Sequence, residues 1–141
     1  MAIDFGTAEW SRAVQGEING SSEYRNAASK WGSGFNGNLL FAFEADRLLP
    51  KSLYLLLRLE GGRCSGAEFV AGASHPDAGF TLRAAFTIWR EILEGKSLAA
   101  TAILTGRMRV EGDRIALLKH VGAHRALIHC VASVEARFPG A

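Results

Sequence analysis

The sequence has only two cysteines, three prolines and no long apolar run. Cys64 and Cys130 stand far apart and form no CxxC, which excludes a disulfide framework and a thiolate zinc site and points to a reduced compartment. The longest unbroken apolar runs, residues 39–43 and 53–57, are five residues each, against the ~20 that a membrane-crossing helix needs. The N-terminal residues lack a basic segment followed by an apolar one, and the last three residues are no peroxisomal signal. The expected location is therefore cytoplasmic, without stable membrane anchoring. Charge of one sign is lacking as well: sixteen basic and fourteen acidic side chains leave +2. That excess is too small and too dispersed for a nucleic-acid footprint, so no nucleic-acid partner is expected. A Walker A loop, a dinucleotide fingerprint, a nucleophile elbow and a metalloprotease helix are also missing.

What is present suits one globular domain over residues 1–141. With 48% apolar and 21% charged residues, the chain is neither disordered nor fibrous. At 15.2 kDa it can bury about two-thirds of its unfolded surface, enough for one core without staples.

Trp10, Ala13, Val14 and Ile18 recur at helical spacing behind Thr7, an N-cap with Glu9 in the first turn. Tyr24, Ala27, Ala28 and Trp31 repeat that spacing up to Gly32. From Asn36 the period becomes two, with Leu39, Phe41 and Phe43 on one face. Leu53, Leu55, Leu57 and Leu59 continue it, and Gly61-Gly62 turns the chain into a partner strand over 63–71. A further strand is expected at 79–82. Helical spacing returns in Ala85, Phe86, Trp89, Ile92 and Leu93, with Gly95 as stop, and again over 98–104. The alternation at 107–111 predicts a last strand, and the apolar stripe over 114–138 one long helix bent at Gly122. The expected class is α+β: about five strands in a mixed, mainly antiparallel sheet with the helices on one face. Tyr54 and Leu56, on the other face, leave room for a partner.

Few side chains converge on chemistry. The spacing of Gly32, Gly34 and Gly37 fits GxGxxG, but it precedes a strand instead of opening a helix, and a plain connection explains it better. His120 and His124 are one turn apart, yet no Glu follows His120 in the metalloprotease manner and His129 faces elsewhere. Structural or solvated histidines are the simpler reading. Cys130 reads as a small buried apolar residue, Glu91 and Glu94 as part of a solvated helix face, and Asp113 as a helix cap. No catalytic set, metal site or cofactor is expected, and hence no enzyme.

The apolar helices carry more information. Phe80-Thr81-Leu82, Trp89, Ile92-Leu93, Gly95 and then 102–113 resemble the sterol carrier protein type 2 family. The most specific part is 106–113, in the order Gly, basic, apolar, basic, apolar, any residue, Gly, Asp, with Gly95 eleven residues ahead of it. Three upstream strands match in order, so the resemblance covers about residues 8–118. It implies a five-stranded mixed sheet, helices on one face, and an apolar tunnel between them for a fatty acid, acyl-CoA, sterol-like molecule or phospholipid. Two departures stand out. The polar helix start usual in that family is Ala84-Ala85-Phe86-Thr87 here, and the final helix is longer.

Phe86, Trp89 and Leu93 share a helix face. Ile103, Leu104 and Met108 sit where the family closes its tunnel, and Leu117 and Val121 belong to the final stripe. These eight are the expected cavity residues, with the helix 114–138 as a lid hinged at Gly122. The expected function is non-enzymatic binding or transfer of an apolar small molecule. The alternative is an interaction module, a homodimer for instance, whose cavity is filled by its own side chains. Arg107 and Arg109 meet an anionic head only if they reach the mouth; a solvated strand face is the plainer reading.

Overall fold

Thr7 starts the first helix as its position implies: its hydroxyl accepts the Trp10 N–H at 3.1 Å, and α1 (Ala8–Asn19) follows. The computed structural model describes residues 2–140. Ser21 caps α2 (Ser22–Ala27) in the same way. This helix stops four residues before Trp31, because the chain turns at Ala28 and continues in turns to Gly34. Ala28 and Trp31 are buried all the same, so the helical spacing marked an apolar side but not the helix end.

Five strands form one mixed sheet. It contains β2 (Leu39–Glu44), β3 (Leu53–Glu60), β4 (Arg63–Val70), β5 (Phe80–Ala85) and β6 (Arg109–Glu111), in the order β4-β3-β2-β5-β6. Only β2 and β5 run parallel; the other neighbours are antiparallel. Leu39, Phe41 and Phe43 lie beside Leu57, Leu55 and Leu53 on one side and Phe80, Leu82 and Ala84 on the other, so one face is a continuous apolar surface. That face carries the core, under α1, α2, α3 (Phe86–Leu93) and α6 (Val121–Ser133). α1 lies along β4, and the Asn19 side chain bonds both the N–H and the C=O of Cys64 at 2.8 Å, which occupies groups of an otherwise open edge.

The other face is only partly open. β4 is an edge strand and β5 lies beyond β2, so the connection 71–79 must cross β3 and β2. Arg58 Nη1 holds Asp77 Oδ2 at 2.9 Å, and the Asn36 and Asn38 side chains donate to the Asp77 carbonyl. Leu40 and Leu56 are fully buried, so Leu56 offers a partner nothing, contrary to the expectation; Tyr54 remains half-buried.

The end of the chain departs most from expectation. In place of one helix over 114–138 there are two, α5 (Arg114–Lys119) and α6, separated at His120, whose φ of −123° and ψ of 37° leave the helical region. Gly122 is the second residue of α6 and makes no bend. Val134 turns extended, and β7 (Ala136–Arg137) pairs in parallel with β1 (Ile3–Asp4). These two-residue strands are too short to show a period. The remaining elements are α4 (Ala99–Leu104) and β6, which starts two residues later than the alternation predicts.

Candidate functional site

Two depressions meet at the start of β5. One, of about 280 Å³, is lined by Phe35, Asn36, Gly79, Phe80, Asp113 and Ala116. It lies between α5 and the turn that precedes β2. The other, of about 240 Å³, is lined by residues of the 71–79 connection with Thr81, Glu111 and Gly112. Gly79 and Phe80 belong to both. Two glycines allow the close packing here. A Cβ on Gly79 would collide with the Asn36 carbonyl, and one on Gly112, at φ +123°, would come within 2.7 Å of the Phe80 ring.

Aromatic rings back the first depression. Trp31 donates its indole N–H to the Gly37 carbonyl at 2.8 Å. Its ring centroid lies 4.8 Å from Phe35, 5.2 Å from Phe80, 5.3 Å from His120 and 4.5 Å from His124. Burial pulls the His124 imidazole down to about 4, with the nearby His120 adding to the effect. His124 is neutral at pH 7, and its buried Nε2 has no hydrogen-bond partner among the described residues.

α5 roofs this depression with little to hold it. The Asp113 carboxylate accepts the N–H groups of Ile115 and Ala116 at 2.9 and 3.3 Å, as the sequence predicts of a cap. No residue of α5 is fully buried; Ala116 and Leu117 are half-buried against the core. α6 is different. Ala123, Ala126, Leu127, Cys130 and Val131 form its buried stripe, so α6 belongs to the core and cannot act as a lid.

The expected cavity residues divide. Phe86 and Trp89 are fully buried, with Leu93 and Met108 nearly so, all in one apolar cluster. Trp89 packs on Phe41 and Phe43 and donates its indole N–H to the Ala42 carbonyl at 2.9 Å. Ile103 and Leu117 are half-buried on that cluster. Leu104 is 85% exposed and Val121 51%. α4 buries only Ala102, which leaves Leu104 outside, and Val121 lies at the start of α6 outside its buried stripe. None of the eight lines the two depressions. Phe35, Phe80, Ala116, Trp31 and His124 do line or back the larger one, and only the strand parity of Phe80 and the helical spacing of Trp31 hinted at them.

The unusual start of α3 has its own solution. Ala85 offers no side-chain cap, but Asp46, from the β2–β3 connection, accepts the Thr87 N–H at 2.8 Å, with Leu48 and Leu49 bonded to its other oxygen. Partial burial pushes the Asp46 carboxyl up, and these hydrogen bonds outweigh it and hold the group below its ordinary range. Nor do Arg107 and Arg109 reach toward the core: Arg107 faces Glu91 at 3.9 Å, and Arg109 pairs with Glu44 at 2.9 Å. Arg83 joins the same network through Glu44 and Glu111. Among the described residues no group of three His, Cys, Asp or Glu could hold a metal, and no helix is long and apolar enough to cross a membrane.

The SCP-2 sterol transfer family matches over residues 15–123. The chain belongs to that family. A crystal structure of sterol carrier protein 2 superposes with a TM-score of 0.82 at 30% identity, covering 93% of this chain and 99% of the other. A conserved hypothetical protein from Thermus thermophilus, described as a possible sterol carrier protein, has a TM-score of 0.82 and 29% identity, with 96% and 93% covered. A ubiquinone synthesis protein, UbiJ-SCP2, shares the fold with a TM-score of 0.54 at 15% identity, over 94% and 96% of the two chains. No curated protein sequence matches. The α+β class and the five-stranded mixed sheet are those of the family's structures.

Proposed function

We propose that this protein is a non-enzymatic carrier that binds an apolar molecule between the inner sheet face and its helices, with α5 as the gate. The cargo classes are a fatty acid, an acyl-CoA, a sterol-like molecule or a phospholipid. The observation that carries the reading is the contrast between α5 and what lies beneath it. A six-residue helix with no fully buried residue roofs a depression floored by Phe35 and Phe80. That floor belongs to the same apolar cluster as Phe86, Trp89, Leu93 and Met108.

The depression, about 280 Å³, lies just under the ~300–1,000 Å³ of small-molecule pockets, so binding requires α5 to move outward. Leu117, half-buried on the cluster, is the α5 residue such a movement would turn onto the cargo, and Ile103 of α4, half-buried on the same cluster, would join the wall. Phe86, Trp89, Leu93 and Met108 would form its inner wall, while Leu104 and Val121 would have to rotate inward to join. About ten buried methylenes at ~0.8 kcal/mol each supply roughly 8 kcal/mol of gross driving force, from which the cost of association is subtracted.

A second reading rests on the closed packing of that same cluster: the protein's own side chains fill the space, and the domain is an interaction module, as a homodimer for example. Mass spectrometry of organic extracts from purified protein, run beside size-exclusion light scattering, separates the two. A stoichiometric lipid from a monomer supports the carrier. No lipid, together with a dimer, supports the module. The carrier reading places the protein in the cytoplasm and assigns it no cofactor.

A further inference from the structure

Among the described residues, all five exposed large aliphatic side chains fall between Leu98 and Val121: Leu98, Leu104, Ile115, Leu118 and Val121. Three of them cluster on α5 and the first residue of α6, at exposures of 63%, 69% and 51% for Ile115, Leu118 and Val121. Ile115 and Leu118 are one helical turn apart and point away from the core side, where Ala116 and Leu117 lie. Scattered single aliphatics need no explanation, but a cluster at one corner does.

Along the segment itself the charge has one sign. From Arg114 to Val134 the sequence contains no Asp or Glu, while Arg114, Lys119 and Arg125 alternate with the aliphatics. All three cations are exposed and none forms an ion pair among the described residues. The one acid beside them, Asp113, has its carboxylate engaged by the N–H groups of α5.

We propose that the outer side of α5, with the start of α6, docks on an anionic lipid bilayer surface. Ile115, Leu118 and Val121 enter the boundary between headgroups and acyl chains, and Arg114, Lys119 and Arg125 lie along the phosphates with their stems against the aliphatics. A second copy of this chain fits the surface less well. A two-fold contact would set the same patch against itself and bring the three cations of each copy together with no acid between them. The proposal concerns only the outer side of α5 and holds whether or not the groove below takes a cargo.

Vesicle cosedimentation tests it. The protein is expected to bind vesicles of phosphatidylcholine mixed with phosphatidylglycerol, to bind pure phosphatidylcholine weakly, and to lose binding as salt rises. Arg114→Gln and Lys119→Gln should each weaken binding about five-fold. The Ile115→Gln/Leu118→Gln variant should weaken it at least ten-fold. Arg47→Gln/Lys51→Gln, which removes two exposed cations from the β2–β3 connection, should leave it unchanged. Circular dichroism checks that each variant is folded. Equal binding to neutral and anionic vesicles, or an equal loss in the Arg47/Lys51 control, would overturn the proposal. So would an Ile115/Leu118 variant that changes oligomeric state by light scattering while vesicle binding is unaltered. Lipid extraction reads the carrier function separately.

Discussion

Two side chains of this protein tie its stability to pH in successive windows. His124 is held neutral by burial, at about 4, whereas in the unfolded chain it titrates near 6.5. Between those values the unfolded state binds the extra proton, so stability falls as pH drops from 6.5 toward 4 and changes no further below that on this account. The loss is bounded at about 3 kcal/mol. His124→Phe, which removes the titrating ring but keeps the contact with Trp31, should flatten that limb in urea midpoints taken from pH 7 to 4. A wild-type slope in the variant would show that another group is responsible. Asp46 acts lower down. Its folded value lies below the ordinary 3.8, so its contribution is present above that pH and is lost as acid titrates it through the folded value. Asp46→Ala should cost about 1–2 kcal/mol at pH 7, the size of a lost N-cap, and the difference from wild type should vanish at strongly acidic pH.

At the scale of elements, the two helices after β6 behave oppositely, although their apolar residues look alike in the sequence. α6 has a buried stripe at i, i+3, i+4, i+7 and i+8 and takes part in the core, so Leu127→Ala should cost 2–5 kcal/mol. α5 depends chiefly on its cap. Asp113→Ala should therefore lower the melting temperature only slightly, a cap being worth ~1 kcal/mol, and under the carrier reading it should speed exchange of a bound fluorescent fatty acid. Unchanged exchange with an intact fold would remove α5 as the gate. The break between them at His120 was not readable from the pattern: Leu117, Leu118, Val121, Ile128 and Val131 satisfy a long stripe, and what ends α5 is a backbone turn stabilised by the packing of His120 and His124 on Trp31. Gly122, the obvious candidate for a bend, has open space where its Cβ would be and sits in regular helix. Where apolar period and capping residue agreed, as at Thr7 and Asp113, helix starts were legible to the residue. Helix ends set by tertiary contact, as at Ala27 and Ser133, were not.

For the whole molecule, the sheet's inner face was legible because Leu39, Phe41 and Phe43 and Leu53, Leu55 and Leu57 keep a period of two within apolar runs, and a one-residue slip would move all of them to the other face. The larger depression was not, because it is assembled from Phe35, Phe80 and Ala116, which lie far apart in the chain with no shared period. The closure of the chain on itself was equally hidden. β1 and β7 join the two ends of the described chain: Ile3 and Phe5 donate their N–H groups to Glu135 and Arg137 at 2.9 and 3.0 Å, and Arg137 bonds Asp4 at 2.7 Å. Phe138 then packs on Phe5 and Phe86, with ring centroids 5.6 and 6.2 Å away. This clasp covers the end of β5 where α3 begins, whereas the depression lies at the opposite end, beside Gly79 and Phe80. A chain ending at Val134 loses at least the two backbone hydrogen bonds named, at ~1 kcal/mol each, and the partial burial of one phenylalanine, at least about 3 kcal/mol together. Its melting temperature should fall by roughly 6–12 °C, as a domain of this size shifts by ~2–4 °C per kcal/mol. The proposed gate, α5, lies at the far end of β5, so fatty-acid exchange measured well below that melting temperature should match the full chain. Faster exchange in the shortened protein would instead mean that the clasp and the gate open together.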